Sequence, residues 1–225
     1  MPEGVHVHTP HELEEGNGSL SPRERRLEII AALLLAATTL AIAWSGYQAA
    51  KWSGLQARRY TQASTARAFA NRAQTQGSQA RLQDLLNFNR WLEAQVNGDE
   101  PLASLYERRF RDEFVPAFDA WRAQGDPLDP NLPVPTPLRM PQYVLAAEVK
   151  AEKLERLGDR RFEEGKEATE NADKYVFATV FFAVVLFFSG ISLRFEWYRL
   201  RVIMLSVAAV FLLWGIFQVL DLPVH

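Results

Sequence analysis

The stretch IIAALLLAATTLAIAWSGYQAA, Ile29 to Ala50, contains no Asp, Glu, Lys or Arg. At about 1.5 Å of rise per residue, a helix of this length covers a hydrocarbon core of about 30 Å. Two further stretches share the property: YVFATVFFAVVLFFSGISL, Tyr175 to Leu193, and VIMLSVAAVFLLWGIFQVL, Val202 to Leu220. A helix buried in a water-soluble protein seldom runs so far without one charge. The three segments therefore predict an all-α membrane protein with three transmembrane helices, at residues 27–50, 175–193 and 202–220. Between the first two lies a helical domain, residues 51–173, built as a bundle or hairpin from long extensions of the first and second spans.

Charge at the flanks orients this layout. Arg23, Arg25 and Arg26 precede the first span, and Arg194, Arg199 and Arg201 occupy the loop at 194–201. Positive-inside bias places both in the cytoplasm. The N-terminus is then cytoplasmic, while residues 51–173 and the C-terminus at 221–225 are extracytoplasmic. A cleaved signal sequence is the alternative for the first span, with Ala41-Ile42-Ala43 as a small-residue cleavage site. Against it, the uncharged stretch continues to Ala50. Trp44, Tyr47 and Trp52 at one end of the first span, Tyr175 opening the second, and Trp197 and Tyr198 in the loop are candidate interface anchors, because amphipathic rings favour the headgroup level.

Outside the spans, residues 1–22 lack periodicity and read as a disordered cytoplasmic tail. From Arg23 to Val96 there is no proline, and good helix formers dominate, which predicts one long helix or two nearly coaxial ones. Within it an eight-residue unit repeats: WSGYQAAK from Trp44, then WSGLQARR from Trp52. Ala37, Ala41, Ser45, Ala49, Ser53 and Ala57 are small and four apart, and Gly46, Ala50 and Gly54 form a second row. Such spacing lets another helix approach closely. The candidate helix-packing residues are Gly46, Ala50, Gly54, Ser45, Ala49 and Ser53.

Further on, Leu102, Tyr106, Phe110, Phe114 and Phe118 recur at i+4 and predict a helix over 102–123, kinked or divided at Pro116. Its expected partner is the face carrying Leu82, Leu85, Phe88, Leu92 and Val96. Residues 125–141 hold six prolines and read as an extended strap. The pattern from Gln142 to Leu193 is again helical, and its extramembrane half, with pairs such as Glu152/Arg156 and Lys166/Glu170, reads as a solvated face.

The segments WSGYQAAKWSGLQA, FVPAFDAWRAQGDPLDPNLPVPTPLRMPQY and NADKYVFATVFFAVVLFFSGIS resemble a group of uncharacterised bacterial membrane proteins. The resemblance implies a bacterial cytoplasmic (inner) membrane and the three-span layout. It carries no activity, ligand or catalytic residue.

Chemistry is thinly represented. There is no Cys, which excludes disulfides and thiolate sites, and the four His lie in the terminal segments. His6, His8 and His11 could hold a metal weakly, though a flexible polar tail is the simpler reading. No nucleotide-binding, hydrolase or metalloprotease motif occurs. Asp112 and Glu113 are adjacent and point about 100° apart on a helix, which rules out a catalytic pair there. Arg108, Arg109 and Arg111 read as a compensated, solvated face. A net charge of −2 gives no pull toward nucleic acid. No catalytic, cofactor-binding or metal residue is expected, and no cofactor.

The expected partners are the lipid bilayer and either further copies of the chain or another membrane protein. The composition suits a non-enzymatic protein of assembly or protein–protein interaction. The alternatives are a sensor or accessory subunit of a membrane complex, or an oligomeric channel lined by Thr38, Thr39, Ser45, Ser189, Ser192 and Ser206.

Overall fold

The computed structural model describes residues 22–225. The expectations for the tail and for His6, His8 and His11 lie outside the described residues. Among these, five α-helices and a short 3₁₀ turn are present, with no strand: α1 Pro22–Val96, α2 Glu100–Glu107, α3 Val115–Arg122, α4 Ala146–Ser192 and α5 Tyr198–Leu220. Three of them, α1, α4 and α5, are long and apolar enough to cross a membrane.

The long helix forms without interruption. Pro22 opens it, at a position that needs no backbone donor. It ends at Val96, and Gly98, with a φ of 69°, turns the chain just beyond. Asp99 then caps α2 by accepting the Leu102 N–H at 3.1 Å. The expected helix over 102–123 is divided. Proline lacks an amide hydrogen and clashes with the preceding turn, so Pro116 is accommodated only in the first turn of a new helix, α3. Helix α5 starts at Tyr198, earlier than the charge-free stretch suggests. Arg199 and Arg201 are thus helical residues, where the sequence predicted loop.

Two compact units divide the chain. One comprises residues up to Gly54 with Ala168–His225, the other Leu55–Glu167. In the latter, α1 and α4 pack antiparallel along a seam of small side chains. Ala63, Ala66, Ala70, Ala73 and Gly77 are buried at alternating spacings of three and four, the spacing of helices that wind round each other. Opposite them on α4 stand Ala151, Gly158 and Gly165, also buried. A Cβ at Gly158 would stand 2.9 Å from Arg67 Cγ, and one at Gly165 would stand 2.7 Å from the Tyr60 ring. This half of α4, read from sequence as a solvated face, therefore carries a buried stripe as well. Arg156 pairs with Glu152 as expected, whereas Lys166 pairs with Glu163 and not Glu170.

The same unit holds an aromatic core. Phe88, Trp91, Phe110, Phe114, Phe118 and Trp121 cluster, with Ala94 and Ala103 filling the gaps. Most of the ring pairs are edge-to-face, as between Trp91 and Phe118 at 4.9 Å, the arrangement their quadrupoles favour. The proline-rich segment closes over this cluster as a strap. Trp121 Nε1 donates to the Val134 carbonyl at 2.9 Å, and Val134 N donates to Gln124 Oε1 at 3.2 Å. Of the expected partner face on α1, Phe88 enters the core and Leu92 packs beside it. Leu82, Leu85 and Val96 remain exposed. The inward face follows Asp84, Phe88, Trp91 and Ala94, rotated from the one chosen by hydrophobicity alone.

The first unit packs α1, α4 and α5 through Ala178, Phe182, Val185, Ala208 and Leu212, with Leu34, Ala41 and Ile42 against them. A Cβ at Gly215 would stand 2.7 Å from the Phe182 ring, so the glycine makes room for it. Only 11%, 33% and 17% of the most apolar windows of α1, α4 and α5 are buried, so most of their apolar surface faces outward.

Candidate functional site

The repeated octet puts like residues in unlike surroundings. Eight residues at about 100° each advance two turns and a further ~80°, so the second copy looks in a different direction from the first. Ser45 is buried and Ser53 exposed; Ala49 is buried and Ala57 exposed. The six helix-packing candidates accordingly separate. Ser45 and Ala49 are inside their own unit. Gly46, Ala50 and Ser53 face outward, and Gly54 is half-buried. A Cβ at Gly46 or Gly54 would meet nothing within 4 Å.

The outward face of α1 has its own pattern. Ala32, Ala36, Thr39, Ala43, Gly46, Ala50 and Ser53 are all exposed, spaced alternately by four and three. None is charged or larger than threonine. This row and the buried row of Ala31, Thr38 and Ser45 lie on different faces of one helix. Of the six hydroxyls considered as a pore lining, Thr38, Ser45, Ser189 and Ser192 are buried within the single chain, while Thr39 and Ser206 are exposed.

The aromatic residues divide in a similar way. Trp44, Tyr47, Trp197 and Tyr198 are 47%, 52%, 79% and 48% exposed, free to meet a headgroup layer. Tyr175 is fully buried. Its hydroxyl and Trp52 Nε1 both donate to the Pro223 carbonyl, at 3.3 and 3.0 Å. His225 N donates to Gln48 Oε1 at 3.1 Å, and the His225 ring lies 5.1 Å from that of Trp52. Tyr175 thus anchors the last residues of the chain, a role that displaces its reading as a headgroup anchor. A buried hydroxyl needs a partner, and that of Tyr175 finds one in a proline carbonyl.

The second unit contains a polar cluster that sequence reasoning missed. Asp84 is 1% exposed. Its Oδ2 accepts from Tyr143 Oη at 2.9 Å and from Arg111 at 3.0 Å, while Oδ1 has no protein partner. Arg111 also pairs with Glu113, whose other oxygen accepts the Ala146 N–H at the start of α4, at 3.0 Å. Arg81 pairs with Glu148 at 2.8 Å and lies over the Tyr143 ring. Burial pushes the Asp84 carboxyl above its ordinary value, against the pull of Tyr143 and Arg111. Burial and then the Asp84 carboxylate raise the Tyr143 hydroxyl, keeping it a donor. Arg111, expected on a solvated face with Arg108 and Arg109, is therefore half-buried and tied with Glu113 to the buried Asp84 and the start of α4. The available signal was positional: Asp84 continues the row of Ala73, Gly77 and Ala80 on the buried side of α1.

Among the described residues, no group of three or more His, Cys, Asp or Glu is arranged to hold a metal. No family model, characterised protein or solved structure matches this chain.

Proposed function

We propose that the chain is a non-enzymatic, multi-pass membrane protein whose work is assembly, and that α1 pairs with α1 of a second copy. The observation that carries this reading is the outward row from Ala32 to Ser53: uncharged, small and unused by the chain's own packing. Between helices in lipid the hydrophobic effect offers little, so close contact of small side chains and backbone is what drives association. Three long apolar helices with mostly outward-facing apolar surface support the membrane setting. The arginines before α1 and around the start of α5 favour a cytoplasmic N-terminus, with residues 51–173 outside a bacterial inner membrane. The resemblance to uncharacterised bacterial membrane proteins points the same way. A channel role has less support, because four of the six candidate pore hydroxyls are buried within one chain.

The absence of native cysteine permits a direct test. Gly46→Cys, oxidised in native membranes, is expected to yield a disulfide-linked dimer, whereas Ser45→Cys, one residue round the helix and buried, yields none. In parallel, Gly46→Leu combined with Gly54→Leu is expected to shift the detergent-extracted protein toward monomer in native mass measurement. A strictly monomeric wild type, with no cross-link through Gly46→Cys, would refute the reading.

A further inference from the structure

The second unit buries a carboxylate that its interior satisfies on one oxygen only. Asp84 Oδ2 takes two donors and Oδ1 takes none. The groups facing it are Arg111 and Glu113 from the connection between α2 and α3, and Tyr143 from the segment entering α4. Beyond Tyr143 lies Arg81 of α1, itself held by Glu148 of α4. Arg111 serves both Asp84 and Glu113. Two carboxylates around one guanidinium leave a net negative charge, and Asp84 carries its share where water is excluded. Desolvation disfavours that charge, and one proton removes it. Oδ1 is the oxygen left to receive the proton, since Oδ2 can keep both Tyr143 and Arg111. Arg111 would remain paired with Glu113, so protonation strands no cation.

We propose that Asp84 is a proton-binding site of the second unit, filled on acidification before an exposed aspartate would be and emptied as pH rises. The proposal goes beyond the assembly reading and does not depend on it. Its consequence is a pH-sensitive clasp. The sign follows from linkage: a carboxyl held above its ordinary 3.8 contributes stability that is fully present below that value and is lost as pH rises through the folded-state value. Lowering the pH through the folded-state value therefore strengthens the attachment of the Arg111 and Tyr143 segments to α1, whereas a carboxyl held below its ordinary value weakens a fold on acidification.

The test uses the full-length protein in detergent and infrared difference spectroscopy during acidification from neutral pH. The wild type is expected to develop a protonated-carboxyl band that is missing in Asp84→Asn. Glu113→Gln, which leaves Arg111 to Asp84 alone, is expected to move the appearance of that band to lower pH. Over the same interval the wild-type thermal midpoint should rise relative to Asp84→Asn by about a few degrees. If no band assignable to Asp84 appears before acid unfolding, the proposal fails. Should Asp84→Asn not fold, Glu113→Gln decides: an unshifted band overturns it.

Discussion

In the second unit Trp91, Phe114, Phe118 and Trp121 are all 1% exposed or less; in the first, Leu40, Phe187, Leu213 and Phe217 stand 61–73% exposed. Both regions are helical, and both are rich in large apolar side chains. They differ in where those side chains are sent. The second unit turns its rings inward over a shared centre and covers them with a proline-rich strap, as a protein in water must. The first unit mixes small and hydroxylated residues with a few large ones such as Phe182 in its interior and turns most of its bulk outward, which costs little when the surroundings are hydrocarbon. One chain thus carries two packing rules, each suited to a different solvent.

Breaking the inward rule should give the largest effect. Trp121→Ala removes a fully buried indole and the bond that holds Val134, with an expected loss of ~3–5 kcal/mol in the stability of the second unit. Chemical denaturation, together with faster proteolysis within 125–141, measures it. A smaller loss is expected where the helices approach most closely. At Gly165 an added side chain meets the Tyr60 ring. Gly165→Leu should therefore cost ~1–3 kcal/mol by overpacking. Gly46→Leu sharpens the contrast, because open space awaits its side chain. The change in monomer thermal stability should stay within about 0.5 kcal/mol, the usual range for surface substitutions. Its effect belongs in association.

The smallest effect concerns Glu164. Arg161 holds its carboxyl below the ordinary value, outweighing desolvation, with Arg59 assisting. A depressed carboxyl contributes stability that is present above 4.5, the ordinary value, and fades as pH falls through the folded-state value. Glu164→Gln should therefore lower neutral-pH stability slightly and reduce the further loss on acidification, as an acid titration of the thermal midpoint would register.

What could be read from the letters alone follows from the same comparison. Uncharged runs and missing prolines are local signals, and they located α1, α4 and α5 within a few residues. Pro116 announced the division between α2 and α3. Facing is not local. The row of four-residue spacing from Ala37 to Ala57 drifts round the helix, so sequence could not say that Ser45 points in while Gly46 points out. Nor could it show that Asp84, the one acidic residue on a seam of alanines and glycine, would meet Arg111 and Tyr143 from distant segments. The position of Tyr175 at a span boundary suggests only a membrane-surface anchor. Its partnership with Pro223 depends on a contact far along the chain.

That last contact has a practical side. The hydrogen bonds to Pro223 and His225 and the ring of Trp52 hold the final residues against the middle of α1 and α4, where the extracytoplasmic ends of their spans are proposed. An affinity tag or reporter enzyme appended directly after His225 would have to leave from beneath an indole. It would compete with Gln48, Trp52 and Tyr175 for the segment they grip. Labels inserted into the exposed turn at Asn97-Gly98 would leave that grip undisturbed.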